Sequence, residues 1–171
     1  MSSIRVSYQN QEWHRLVREW SAECDEFEEN FGEYATASLP VLDELASSAQ
    51  TPAAGVFGYE EEGSFKAVYQ ANSSFLPGYV GKVLRIRHIV LAPKFDFSDE
   101  FDIDDYINVM IGVFAGAILL ADGELMAQHV KFHLKSPAER EFGQKFIQAA
   151  GKQPVFAKAE MRGSWIYLSK A

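Results

Sequence analysis

The feature that most constrains the fold is a β-rich segment, a long apolar helix and a second β-rich segment in direct succession. Val83–Leu91 carries the densest run of β-branched residues and stops at Pro93, which has no N–H to give a ladder. The stretch Ile103–Ala121 is predicted as a helix, with Asp102, Asp104 and Asp105 at its positive end and Asp122-Gly123 closing it. Met126–Leu134 then returns to strand character. Two strands joined by a helical crossover run parallel in one sheet, with a right-handed connection. The apolar run Tyr106–Ala121 is short for a bilayer, is broken by Asn108, Gly112 and Gly116, and follows five acids in seven residues. It is expected to be a core helix, apolar on most sides and buried accordingly.

The flanking segments are read by period and turn chemistry. Ile4–Tyr8 alternates as a short first strand. Asn10 is placed as an N-cap, and Trp13, Leu16, Val17, Trp20, Cys24, Phe27 and Phe31 follow at helical spacing up to Gly32. Ser38-Leu39-Pro40 opens a shorter helix through about Ser47. Ala53–Glu60 and Ser64–Asn72 form a hairpin around Glu61-Glu62-Gly63, and Lys94–Glu100 is an acidic loop. A helix from Ser136-Pro137 to Ala150 precedes a last hairpin, Pro154–Met161 with Ser164–Ser169. The order is β-α-α-β-β-β-α-β-α-β-β. That predicts an α+β fold with a mixed central sheet flanked by helices, as a single domain over residues 1–171.

Charge distribution narrows the partners. The net charge is −8, and the acids are segregated: Glu19 to Phe65 holds twelve acids and no Lys or Arg, whereas His129 to the C-terminus holds eight bases against three acids. Nucleic acid is not an expected partner, because phosphate contacts need cations. No membrane partner is expected, and a homodimer pairing acidic and basic faces is one assembly consistent with the charges. The one cysteine, Cys24, falls on the apolar helix stripe and reads as a buried thiol, so a reducing, cytoplasmic setting is expected. The stretch MSSIRVSYQNQEWHRL lacks the apolar run of a signal peptide, so it is not expected to be one.

The element order, with Arg87-His88-Ile89-Val90-Leu91-Ala92-Pro93 at the end of the fourth strand, resembles the GCN5-related N-acetyltransferase superfamily. In that family the strand ends in a small apolar cluster and proline, and it splays from the next parallel strand, here Met126–Leu134. The groove between them receives acyl-CoA. The resemblance implies a pantetheine ledge on the backbone of Val90, Leu91 and Ala92, with Lys94 and Ser98 near the phosphates. Acetyl-CoA or another acyl-CoA would be a co-substrate, with no tightly bound cofactor. The family's Arg/Gln-x-x-Gly-x-Gly/Ala phosphate loop is replaced by Lys94-Phe95-Asp96-Phe97-Ser98-Asp99-Glu100-Phe101-Asp102, which has no glycine. Where the family's penultimate helix often has a tyrosine, this chain offers Phe142 and Phe146, which read as core.

His88 is the candidate general base, since an imidazole titrates near neutrality. Strand alternation places it on the face of Leu84, Ile86 and Val90, with Arg85 and Arg87 opposite. His129, Lys131 and His133 share one strand face. The two histidines lie roughly 13 Å apart, too far to share a metal ion, and an ordinary polar sheet face is favoured over a cationic strip toward a carboxylate or phosphate partner. Arg85 and Arg87 could clamp an anion, though pairing with the acidic helices is the favoured reading. Two functions stand side by side. One is transfer of an acyl group from acyl-CoA to a small amine; the other is non-catalytic binding of a cationic small molecule or a protein partner in the groove.

Overall fold

The computed structural model describes residues 2–171. β1 (Ser2–Arg5) is followed by α1 (Glu12–Glu26), a 3-10 turn (Phe31–Glu33), α2 (Leu39–Ser47), β2 (Ala54–Glu61), β3 (Ser64–Phe75) and β4 (Lys82–Leu91). A one-turn helix α3 (Lys94–Phe97) leads to α4 (Ile103–Asp122), β5 (His129–His133), α5 (Pro137–Ala150), β6 (Phe156–Arg162) and β7 (Trp165–Lys170). The strands form one seven-stranded sheet in the order β1-β2-β3-β4-β5-β7-β6. β4 and β5 are parallel across the α4 crossover, and every other neighbouring pair is antiparallel. The architecture is α+β, with a mixed sheet and helices on both faces.

Two apolar layers hold the sheet. On one face α4 and α5 bury Phe57, Tyr69, Leu84, Ile86, Phe132 and Ile166; Phe114 of α4 stacks on Phe132 at 3.9 Å between ring centroids. On the other, α1 and α2 bury Trp13, Leu16, Trp20 and Cys24 against Val56, Val68 and Val90. Cys24 is fully buried, and Phe142 packs edge-on against Phe114.

Three expectations are corrected. Helix α1 ends at Glu26 rather than running to Gly32. No base lies in its last turn, and the Glu29 N–H donates to the Cys24 C=O, one residue further back than a helix bond, which ends the helix with Glu28 at φ 56°. Helix α4 is buried on one side only: Ile111 is 47% exposed and Leu119 68% exposed. By length and composition α4 could cross a membrane, which is weak ground for a span in a helix that packs on a sheet. The acidic loop after Pro93 is also not all loop, because Lys94–Phe97 makes a helical turn.

The fourth correction positions the site. Val68 pairs with Val90 but Gln70 pairs with Arg87, so Tyr69 opposes both His88 and Ile89. This is a β-bulge, with His88 at φ 52°. A left-handed non-glycine residue stores on the order of 1–3 kcal/mol of strain. The extra residue also reverses the alternation. Leu84 and Ile86 face α4, whereas Val90 and Ala92 face α1 and α2, so His88, Val90 and Ile86 do not share a face.

Candidate functional site: a groove where β4 and β5 part

The parallel ladder runs only from Val83–His129 to Ile86–Phe132. Beyond it, β4 continues through its bulge while β5 ends at His133, and the strands separate. A cavity of about 250 Å3 lies beside the freed end of β4, lined by Ile89, Val90 and Leu91, by Tyr34 and Ser38 from the segment before α2, by Asp96, by Tyr106 of α4 and by Ser136 and Glu139 of α5. Two of its lining residues are acidic and none is basic.

The strand backbone in this groove is already engaged. Leu91 C=O accepts a 2.6 Å hydrogen bond from the Tyr34 hydroxyl, which also lies 3.1 Å from Asp96 Oδ2. Burial first, and the Asp96 carboxylate second, push the Tyr34 phenol far above its ordinary pKa. Tyr106 is likewise raised by burial and then by Glu139. Both phenols are therefore neutral donors near neutral pH. Glu139 also accepts the N–H groups of Lys135 and Ser136, at 2.6 and 3.0 Å, within the capping box that starts α5.

The N-terminus of α4 is likewise occupied. Asp102 accepts the N–H groups of Asp104 and Asp105, at 2.9 and 3.1 Å, and Asp105 accepts that of Asp102 at 3.0 Å. This capping box satisfies donors that a helix start would otherwise offer to an anion, using the chain's own carboxylates.

The sequence-selected residues do not all converge here. Val90 and Leu91 line the groove. Ala92 turns its N–H to Lys66 C=O of β3. Lys94 lines a separate cavity of about 420 Å3 beside Lys66 and Phe101, and its backbone N–H bonds to Glu23. Ser98 Oγ accepts the Glu100 N–H. His88 sits at the bulge with Nδ1 3.3 Å from Lys135 Nζ, which also reaches Ser38 Oγ at 3.3 Å. An ammonium only donates, so Nδ1 is the acceptor nitrogen and Nε2 carries the hydrogen. Burial lowers the His88 pKa, and Lys135 and Arg87 lower it further.

Sequence reasoning missed Tyr34, Tyr106 and Ser136. Tyr34 follows a 3-10 turn with no periodicity to place it. Tyr106 was within reach, lying one helical turn beyond the capping Asp102.

The expected pairing of Arg85 and Arg87 with acidic helices is also overturned. Arg85 binds the Asn72 side-chain oxygen, at 2.7 and 3.2 Å, and Arg87 lies over the Trp165 ring at 5.5 Å. Neither has a carboxylate partner among the described residues. The reason is topological: acidic α1 lies over β3, and its own base, Arg15, takes Glu12, Glu19 and Glu60. His129 spends both ring nitrogens on Ser169 and the Val80 carbonyl, whereas His133 stacks against Trp165.

No protein-family model matches this chain, and no curated protein matches it. Among solved structures it is similar to a point mutant of the BH1408 protein from Bacillus halodurans. The identity is 15%, covering 95% of this chain and 98% of that one, with a TM-score of 0.46.

Proposed function

We propose that this is a non-catalytic binding protein on an acetyltransferase-like fold, whose groove between β4 and β5 holds a small cationic molecule. The supporting observation is that carboxylates stand where the resemblance would put the phosphates of CoA. Asp102 closes the α4 N-terminus, and Asp96 and Glu139 are the charged residues that line the groove, with the Lys135 ammonium at its rim on Ser38 Oγ. Two like charges about 4 Å apart cost about 1–4 kcal/mol at effective dielectrics of 80 to 20, so a pyrophosphate is disfavoured there. An ammonium gains the same interactions with opposite sign, and the neutral phenols of Tyr34 and Tyr106 give it oxygen acceptors. The lone, buried Cys24 fits a cytoplasmic setting for such a protein.

A second reading, acyl transfer from acyl-CoA to a small amine, is favoured by the parting of β4 from β5 beside a strained bulge, a feature over-represented next to active sites. His88 would be its base, and it would first have to release Lys135 from Nδ1.

Calorimetric titration separates the two. Putrescine should bind saturably, with affinity reduced at least tenfold in Asp96→Asn, while acetyl-CoA produces no saturable heat. Micromolar acetyl-CoA binding by the wild type would overturn the binding-protein reading.

A further inference from the structure

Helices α1 and α2 cover the sheet only as far as β4. On β5, β7 and β6 the loop with Tyr79 and Val80 reaches the same face at His129, and Lys131, His133, Trp165 and Tyr167 beyond it are half-buried. The register assembles cations there. Arg85 pairs with Lys131 and Lys131 with Tyr167; one step along, His133 pairs with Trp165 beside Arg87. Neighbouring strands lie roughly 4.8 Å apart, so these side chains, spread over three strands, share a patch roughly 10 Å across.

Among the described residues no carboxylate forms an ion pair with Arg85, Arg87, Lys131 or His133, and of these four Glu139 acts only on His133, after burial, Lys135 and Arg87. The Arg87 Nε is buried with no acceptor. Lys131 Nζ rests instead over Trp165 and Tyr167, 4.6 and 4.8 Å from the ring centroids. Burial and mutual repulsion act together: the Lys131 pKa is lowered by burial and then by Arg85 and Arg87, and that of His133 by burial and then by Lys135 and Arg87. In a chain of net charge −8, a cluster of unpaired cations is a standing electrostatic cost that a bound anion would remove.

We infer that this half of the sheet binds the oxyanion group, carboxylate or phosphate, of a small molecule. Arg85, Arg87 and Lys131 are the charged contacts and Trp165 is the platform. The guanidinium of Arg85 has one edge fixed by Asn72, which presents the remaining donors in a set orientation, as a planar oxyanion requires. A long polyanion fits less well. The neighbouring bases Lys158 and Arg162 are already taken by Glu160, and the acidic stretch from Glu19 onward repels an extended phosphate backbone. This site is distinct from the acidic groove and does not depend on how the groove is read.

The test is calorimetry at low ionic strength, with pyrophosphate and citrate titrated separately into the wild-type chain. Saturable binding of either supports the site, and the tighter ligand tells phosphate from carboxylate. Arg85→Gln and Lys131→Met should each weaken binding at least tenfold, while Lys152→Gln, an exposed base elsewhere, leaves it unchanged. Lys131→Met keeps its packing on the rings, so melting curves matching the wild type separate lost binding from lost folding. The inference is overturned by no saturable binding of either anion, by equal losses in all three variants, by tighter binding of a single-stranded RNA oligomer than of both anions, or by self-association that Lys131→Met abolishes.

Discussion

The hydroxyl of Tyr34 closes on the carbonyl of Leu91 at 2.6 Å, tying the segment before α2 to the free edge of β4. Leu91 would otherwise leave a buried carbonyl without a partner, since β5 has already turned away. Tyr34→Phe keeps the aromatic contacts with Trp20 and Phe97 but removes the donor. An unsatisfied buried acceptor costs about 1–3 kcal/mol, so urea unfolding should show a loss of that size with an unchanged slope.

The fold was legible where pattern and punctuation agreed. Val83–Leu91, the apolar Ile103–Ala121 stretch and Met126–Leu134 gave the parallel crossover, because a helix of that length between two strands leaves few alternatives. The site was less legible. A bulge at His88 is set by what opposes it on β3, and no residue in Arg87-His88-Ile89 announces it. The face assignment of Val90 failed for that reason alone. Arg85 and Arg87 were seen as a same-face pair, but their partners depend on which strands the helices cover. The acidic segment after Pro93 did signal something, since Asp102 lies three residues before Asp105, the spacing of a reciprocal cap.

Adjacent positions in α4 should differ in their tolerance of substitution. A Cβ on Gly112 would collide with the ring of Tyr59 on β2, so the helix sits as close to the sheet as a glycine permits. Gly112→Ala is expected to destabilise by about 1–3 kcal/mol through overpacking. Ile111, half exposed, should accept lysine with a change within about 0.5 kcal/mol. Thermal melts of the two variants give the comparison directly, and a large loss in Ile111→Lys would place that residue against an undescribed surface.

Glu23 supplies a pH-dependent term. Burial raises its pKa above the ordinary carboxylate value of 4.5, outweighing the favourable bond from the Lys94 N–H and the nearby lysines. The folded protein therefore holds this proton more tightly than the unfolded chain, and stability contributed by the protonated form is lost as pH rises through the folded pKa. Glu23→Gln keeps an oxygen for the Lys94 N–H and cannot ionise. It should raise the melting temperature at pH 7, with the gain shrinking toward zero as the pH falls below 4.5. A gain of equal size at both ends of that range would mean the effect is not ionisation.

His88 tests how the bulge, Lys135 and the cationic face act on one imidazole. Its pKa is lowered from 6.5 first by burial, then by Lys135, Arg87 and His133. A depressed imidazole pKa means that the unfolded chain takes up a proton before the folded one does. Stability is therefore lost as pH falls from about 6.5 toward the folded value. The groups facing His88 are mostly positive, with Glu139 opposing them weakly at the neighbouring His133. Lys135→Met removes the ammonium 3.3 Å from Nδ1, the charge that lowers this pKa most. The His88 titration, followed by its ring-proton NMR shifts, should then move upward toward 6.5, and the acid-side loss of stability should become shallower. The same variant frees Nδ1, the atom that acyl transfer would use as a base. If Lys135→Met gains acetyl-CoA-dependent acylation of putrescine while wild type has none, the groove is an enzyme site held shut by Lys135. If neither protein turns over acetyl-CoA, the bulge serves to shape a binding groove, and the strained His88 backbone is part of that shape.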